Sequence, residues 1–327
     1  MFRKMIEMLK VNKVRLVLPE GRDHRIQQAA NRLRKEGLLE PVLLGDPDEI
    51  IHLARQDGID LSGMEMIEPR DHPDFDEIAQ EYYELRKHKM TEEECRKNIK
   101  RANYFGAMLL RRKYVDCMLC GATFSTLETI RPALQIIKTK PECKVASTCF
   151  IMTRPGKDED ERYVMGDCAL NISPDEDDLV EITIAAASMA RLFDIEPKVA
   201  LLSYSSMRSG KGESPRKMRN VVERLKEMKV DFPVDGELQF DAAFTPNVGK
   251  FKAPESPVAG EANTFIFPDL NAGNIGYKIA QRLGGFEALG PICTGMNHPI
   301  NDLSRGSTTE EVYKMAIITA ASVVPGL

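Results

Sequence analysis

Six short runs rich in β-branched or leucine side chains recur along this chain: KVRLVLP, PVLLGD, YVDCMLCG, KVASTCFIM, KVALLSYS and TFIFPD. Around them, patterns at 23–36, 74–87, 91–112, 174–193, 214–229 and 308–323 predict helices. A strand buried on both faces reads as a continuous apolar run, and a parallel neighbour can be reached only through a crossover, usually a helix. The alternation therefore predicts an α/β fold of βαβ units with largely parallel sheets. At 327 residues the chain exceeds one ordinary core, so two domains, each a three-layer α/β unit, or one large α/β unit with an insertion, are expected. Composition alone does not place the boundary, because no repeat, low-complexity tract or Pro/Ser linker interrupts the pattern.

A formal net charge of −5 lacks the basic excess of a nonspecific nucleic-acid binder, and 43% apolar content in short runs suggests no membrane role. The segment MFRKMIEMLK puts Phe2, Met5, Ile6 and Leu9 on one helical face but is broken by charge, so it lacks a signal-peptide core. A cytoplasmic protein is expected. Seven scattered cysteines argue for reduced thiols, and Cys117 and Cys120 lie in a strand, where positions three apart face opposite sides. No metal is expected, since the five histidines show neither an H-E-x-x-H nor clustering with cysteine.

Within 264–306 two strand-to-helix turns, at Asp269–Asn274 and at PINDLSRGS, read together as a site for a phosphate-bearing substrate. Ser307 and Glu310 have capping-box spacing, which places Ser304 and Arg305 just before a helix amino terminus. A guanidinium there can bind two phosphate oxygens, or it can be an ordinary surface arginine. With Glu310 assigned to the cap, Glu311 is left as a candidate general base, or as a first-turn carboxylate complementing the helix dipole. A third turn, after YVDCMLCG, carries Ser125 and Thr126 with Arg131 one turn on, and Ser125 with Glu128 forms another capping-box pattern. The Gly/Ser-rich basic loop 205–217 lacks P-loop spacing and is either a flexible cofactor contact or a plain surface loop. Two acidic runs have simpler readings. Ser173 would cap a helix with Glu176 three residues later, and Asp158–Glu161 would be an exposed hairpin tip.

The segments LPEGRDHRI, TIRPALQIIKT, LLSYSSMRSG, DGELQFDAA, SPVAGEANTFIFPDLNAGNIGYKIAQRLGG and GPICTGMNHPINDLSRG closely resemble the phosphate acetyltransferase family, across nearly the whole chain. The resemblance implies reversible acyl transfer between coenzyme A and phosphate. It also implies two α/β domains, 1–145 plus 296–327 and 146–295, with the active site in the cleft between them, and a homodimer. Acetyl-CoA, phosphate and acetyl phosphate would be substrates, with no tightly bound cofactor. Carried over by motif, Ser304, Arg305 and Glu311 would be catalytic, while Arg86, Arg131, Ser125 and Thr126 would grip phosphate or substrate. The residues that contact coenzyme A stay unassigned. Phe124 stands where the family commonly has histidine, and Glu128 and Glu311 where it has aspartate. A phosphate butyryltransferase, another short-chain acyltransferase and a noncatalytic acetyl-CoA sensor are the alternatives.

Overall fold

The structure, a computed structural model, describes residues 2–157 and 159–324. The chain divides into two compact units, Met1–Lys140 with Met296–Leu327, and Pro141–Gly295.

The first unit begins with α1 (Phe2–Val11), β1 (Arg15–Leu18), α2 (His24–Lys35), β2 (Glu40–Leu44), α3 (Pro47–Gln56) and β3 (Glu65–Ile67). It continues through α4 (Phe75–Arg86), α5 (Glu92–Ile99), α6 (Ala102–Arg111), β4 (Cys117–Cys120) and α7 (Thr126–Pro132). The second unit holds β5 (Ser147–Arg154), β6 (Glu161–Gly166), α8 (Glu176–Leu192), β7 (Val199–Leu202), α9 (Glu213–Glu227) and β8 (Val234–Leu238). After α10 (Phe240–Phe244), α11 (Pro246–Lys252), β9 (Thr264–Ile266), α12 (Leu270–Arg282) and β10 (Glu287–Thr294), the chain re-enters the first unit as β11 (Ile300–Asp302) and α13 (Thr309–Ala321).

The first unit's sheet has the order β11-β4-β1-β2-β3 and is parallel throughout. Strands β1, β2 and β4 are buried on both faces, with Leu16, Val17, Leu18, Leu43, Met118 and Leu119 almost fully inaccessible. That is why they read as unbroken apolar runs. Helix α2 turns Ile26, Ala29, Ala30 and Leu33 inward at helical spacing. Helix α13 packs against α1, α2 and β4 and buries nine residues, so it carries almost no polar face. The second unit's sheet, β10-β5-β6-β9-β7-β8, is parallel from β6 to β8 and antiparallel at β10-β5-β6. Its core joins Phe150, Met152, Met165, Leu202, Leu238 and Phe265.

Local corrections follow from cap chemistry. The pattern at 91–112 is two helices, because Arg101 takes an extended conformation; α5 then buries only Cys95 and Ile99, while α6 buries all of 103–110. Helix α8 is capped by Asp175 in a box with Asp178, not by Ser173: two short carboxylates each reach the other's backbone N–H. The hairpin expected near 158–161 is present as Arg154 paired with Glu161, and Asp158 lies outside the described residues. Among the described residues no helix is long and apolar enough to cross a membrane, and no three His, Cys, Asp or Glu side chains form a metal cluster.

Candidate active site

In an open parallel sheet, ligands gather outside the carboxyl ends of the strands, where the order reverses. Here β1 is followed on one side by β2 and β3 and on the other by β4 and β11, so the reversal lies between β1 and β4. The three turns leaving β1, β4 and β11 converge there.

The turn after β4 is an anion nest that the chain fills itself. The carboxylate of Glu20, just past β1, accepts the backbone N–H groups of Gly121, Ala122, Thr123 and Phe124 and the Thr123 hydroxyl. These donors are therefore unavailable to phosphate. Ser125 caps α7 in a closed box with Glu128, as its spacing predicts, and Glu128 also pairs with Arg101 at 2.9 Å. The Ser125 and Thr126 hydroxyls are thus partly committed: Thr126 Oγ1 donates to Asp302 Oδ2 at 2.7 Å. That bond locks the β4 and β11 turns together, since Asp302 already lies opposite Cys120 in the sheet.

Asp302 is 1% exposed, and its Oδ1 has no hydrogen-bond partner. Burial, with the nearby Glu20 carboxylate adding to it, pushes its carboxyl up to about 6 against the opposing effect of the Thr126 hydroxyl. Between an ordinary value of 3.8 and about 6 the folded protein keeps a proton that the unfolded chain has lost. This contribution to stability is present below pH 4 and disappears as pH rises through 6. The urea midpoint of wild type should therefore fall relative to that of Asp302→Asn as pH rises across that window; parallel profiles would remove the argument.

Gly121 makes the close approach of these turns possible. Its φ is +110°, and an added Cβ would sit 2.6 Å from Leu303 N and 2.7 Å from Leu303 O. Gly121→Ala should cost about 2 kcal/mol or more in a denaturation experiment, through a strained φ and a backbone clash that cannot relax cheaply.

The box on α13 is shifted by one residue from the spacing read in the sequence. Thr308, not Ser307, is the cap, and Glu311, not Glu310, closes it. Ser307 is instead buried in the preceding turn, with its N–H bonded to Ser304 O at 2.9 Å. Glu310 pairs with Arg32 at 2.7 Å. Glu311 is therefore not free of the cap: one oxygen accepts the Thr308 N–H at 2.7 Å, while among the described residues no hydrogen bond engages the other. Ser304 and Arg305 are exposed, and among the described residues Ser304 Oγ accepts only the Gly306 N–H, at 3.3 Å.

Arg86, Arg131 and Arg305 have no acid partner among the described residues. Arg86 Nε is buried without a hydrogen bond, and Arg131 is exposed at the end of α7. Burial raises the Tyr104 hydroxyl above its ordinary range, and the charges of Arg101, Arg131 and Arg86 pull it back. Guanidinium groups left without an acid suit an anionic ligand, because an orphaned buried N–H carries a desolvation cost.

A cavity of about 580 Å³ adjoins these turns on the β2–β3 side. Glu20, Arg70, Lys100 and Phe124 line it, whereas Ser304, Arg305, Arg86 and Arg131 do not. Sequence reasoning missed Glu20, Arg25 and Asp302. The available signal was an acid immediately after an apolar strand, in LPEGRD and PINDL.

In the second unit, the turn at Asp269 is spent on its own cap: Asp269 accepts the Ala272 N–H at 3.0 Å, and Asn274 donates to Cys168 O. It places a carboxylate at the α12 amino terminus, which disfavours phosphate there. The two turns read together in the sequence also belong to different units. The basic loop at 205–217 is tied down by the fully buried Glu237. That carboxylate accepts from Ser205 Oγ at 2.7 Å and Arg208 N at 2.8 Å and pairs with Arg219 at 3.0 Å.

Residues 1–320 match the family model described as Phosphate acetyl/butaryl transferase. The chain belongs to this family of acyltransferases. It is 46% identical to the phosphate acetyltransferase of Bacillus subtilis (strain 168), over 99% of both chains. Among solved structures it resembles a phosphotransacetylase from Streptococcus pyogenes, with a TM-score of 0.93 and 48% identity over 99% of this chain and 98% of that one. It also resembles the EutD phosphotransacetylase from Staphylococcus aureus, with a TM-score of 0.86 and 42% identity over 98% of each. Membership of the phosphate acetyl/butaryl transferase family accords with the two α/β units and with arginines left without acid partners.

Proposed function

We propose that this chain transfers an acetyl group reversibly between coenzyme A and inorganic phosphate, interconverting acetyl-CoA and acetyl phosphate. The observation that carries the reading is the set of arginines without acid partners among the described residues: Arg305 in the turn after β11, Arg131 at the end of α7 and Arg86 at the end of α4. They are chemically suited to a phosphoryl dianion. The relatives' names supply the acyl group.

In the direction of acetyl-CoA synthesis, the thiol of coenzyme A gives its proton to Glu311 and its sulfur attacks the acetyl carbonyl. The new C–S bond forms as the C–O bond to phosphorus breaks, and phosphate departs with the electron pair. A free thiol near pKa 8.5 is mostly protonated at neutral pH, so a positioned carboxylate raises the reactive fraction. The cap holds one oxygen of Glu311 and leaves the other to act as base. Arg305, with Arg86 and Arg131, holds the phosphoryl group, and the Ser304 hydroxyl donates to the carbonyl oxyanion. Ser125 and Thr126 are assigned to the turn that frames the phosphate, Thr126 through its bond to Asp302.

The substrates are small molecules, with no tightly bound cofactor, and a cytoplasmic setting suits the buried thiols of Cys95, Cys117, Cys120, Cys149 and Cys168. A homodimer is supported by the exposed apolar stripe of Ile275 and Ile279 on α12 with Leu283 at its C-cap. The test is phosphate-dependent release of free thiol from acetyl-, propionyl- and butyryl-CoA by the purified protein. The highest kcat/KM for acetyl-CoA is expected. Saturable binding of acetyl-CoA with no thiol release would refute the enzyme reading in favour of a sensor.

A further inference from the structure

The Ser304–Ser307 turn is fixed by one guanidinium from elsewhere in the first unit. Arg25, in the first turn of α2, donates from Nη1 to the carbonyl oxygens of Arg305 at 2.9 Å and Ser307 at 2.8 Å. From Nη2 it reaches the Ala122 carbonyl at 2.8 Å and Asp23 Oδ2 at 2.7 Å, and its Nε donates to Asp23 Oδ1 at 2.9 Å. The Arg25 and Asp23 side chains are only 16% and 9% exposed. One planar group thus ties together the turns leaving β1, β4 and β11, which are neighbouring strands.

All five N–H donors of an arginine are used in these bonds, so Arg25 has none left for a substrate phosphate. This separates it from Arg131 and Arg305, whose donors are uncommitted among the described residues. The other bonds within 304–307 are internal: Ser304 Oγ with Gly306 N, and Ser304 O with Ser307 N. Among the described residues, Arg25 is the side chain outside the turn that bonds its backbone.

We propose that Arg25 is a positioning residue for acyl transfer: it sets the backbone of the Ser304–Arg305 turn, and through it the placement of the Ser304 hydroxyl and the Arg305 guanidinium. This inference rests on the site reading above. Charge alone does not perform the task. Two carbonyls of one turn and one of another are met by a rigid fork, which three ammonium protons on a flexible stem cannot reproduce.

The experiment compares kcat and KM for phosphate and acetyl-CoA in wild type, Arg25→Lys, Arg25→Ala, Arg305→Ala and the Arg25→Ala/Arg305→Ala double variant, each checked for folding by its urea midpoint. A displaced turn misplaces catalytic groups by about 1 Å, so kcat should fall on the order of 10–100-fold in both Arg25 variants, lysine giving no rescue. KM should change by less than about threefold, because the loss falls on contacts made in the transition state. Added guanidinium ion should restore part of the Arg25→Ala activity. The double variant should lose less than the product of the two single losses, since part of what Arg25 does is to place the Arg305 guanidinium. If Arg25→Ala does not fold, Arg25→Lys carries the same comparison. A folded Arg25 variant with wild-type kcat, or a double variant whose losses multiply, would overturn the proposal while Arg305→Ala still supports the site. A wild type without phosphate-dependent turnover would overturn both.

Discussion

Replacing Arg305 with alanine is expected to lower kcat/KM for phosphate-dependent thiol release about 10²–10³-fold, as removal of one preorganised transition-state contact typically does, at roughly 3–4 kcal/mol. The phosphoryl group gains charge as its bond to the acetyl carbon breaks, and the guanidinium fork meets two of its oxygens at once. The Arg305 side chain is exposed and has no partner among the described residues, so stability read from urea unfolding should shift by less than about 0.5 kcal/mol. Arg305→Lys should recover only part of the loss, because a point charge replaces a bidentate contact. An Arg305→Ala enzyme with wild-type turnover and the same fold would show that phosphate is bound elsewhere.

Glu20→Ala should be the most destabilising of the substitutions considered, by about 3–5 kcal/mol, because it strips the acceptor from a set of converging buried donors. Four backbone N–H groups and a hydroxyl end on that one carboxylate, which is 6% exposed. Glu20→Gln should lose less, since one oxygen still accepts while the amide nitrogen faces donors. Urea unfolding of the three proteins reads this directly. The emptied nest is also chemically an anion site, so added phosphate should stabilise Glu20→Ala more than wild type. Variants within about 1 kcal/mol of wild type would mean that water replaces the carboxylate at little cost.

Several site features were legible because they are local. The α7 cap at Ser125 with Glu128 needs only two residues three apart, and it forms as the spacing predicts. The same logic failed by one residue at α13, where three overlapping candidates, Ser307, Thr308 and Thr309, precede two glutamates. Packing decided between them. Ser307 is drawn into the turn that Arg25 holds, so its backbone cannot start the helix, and the cap passes to Thr308. That shift ties Glu311 to the cap and sends Glu310 to Arg32. At α8 the competing caps Ser173 and Asp175 were resolved in the same way, by which side chain finds a reciprocal partner.

The sequence by itself determined the α/β architecture, since two-sided burial writes strands as apolar runs and helices as periodic ones. It also determined the family, through long motifs spread over nearly the whole chain. Only the tertiary structure decided what fills each strand-end turn. Glu20 lies about a hundred residues before the nest that it occupies, and Arg25 lies 280 residues before the carbonyl of Arg305. Residue spacing constrains partners within a turn or two of helix, but pairs so distant in sequence meet only because β1, β4 and β11 are adjacent in one sheet. The burial that raises the Asp302 carboxyl has the same origin, a carboxylate enclosed where those turns pack together.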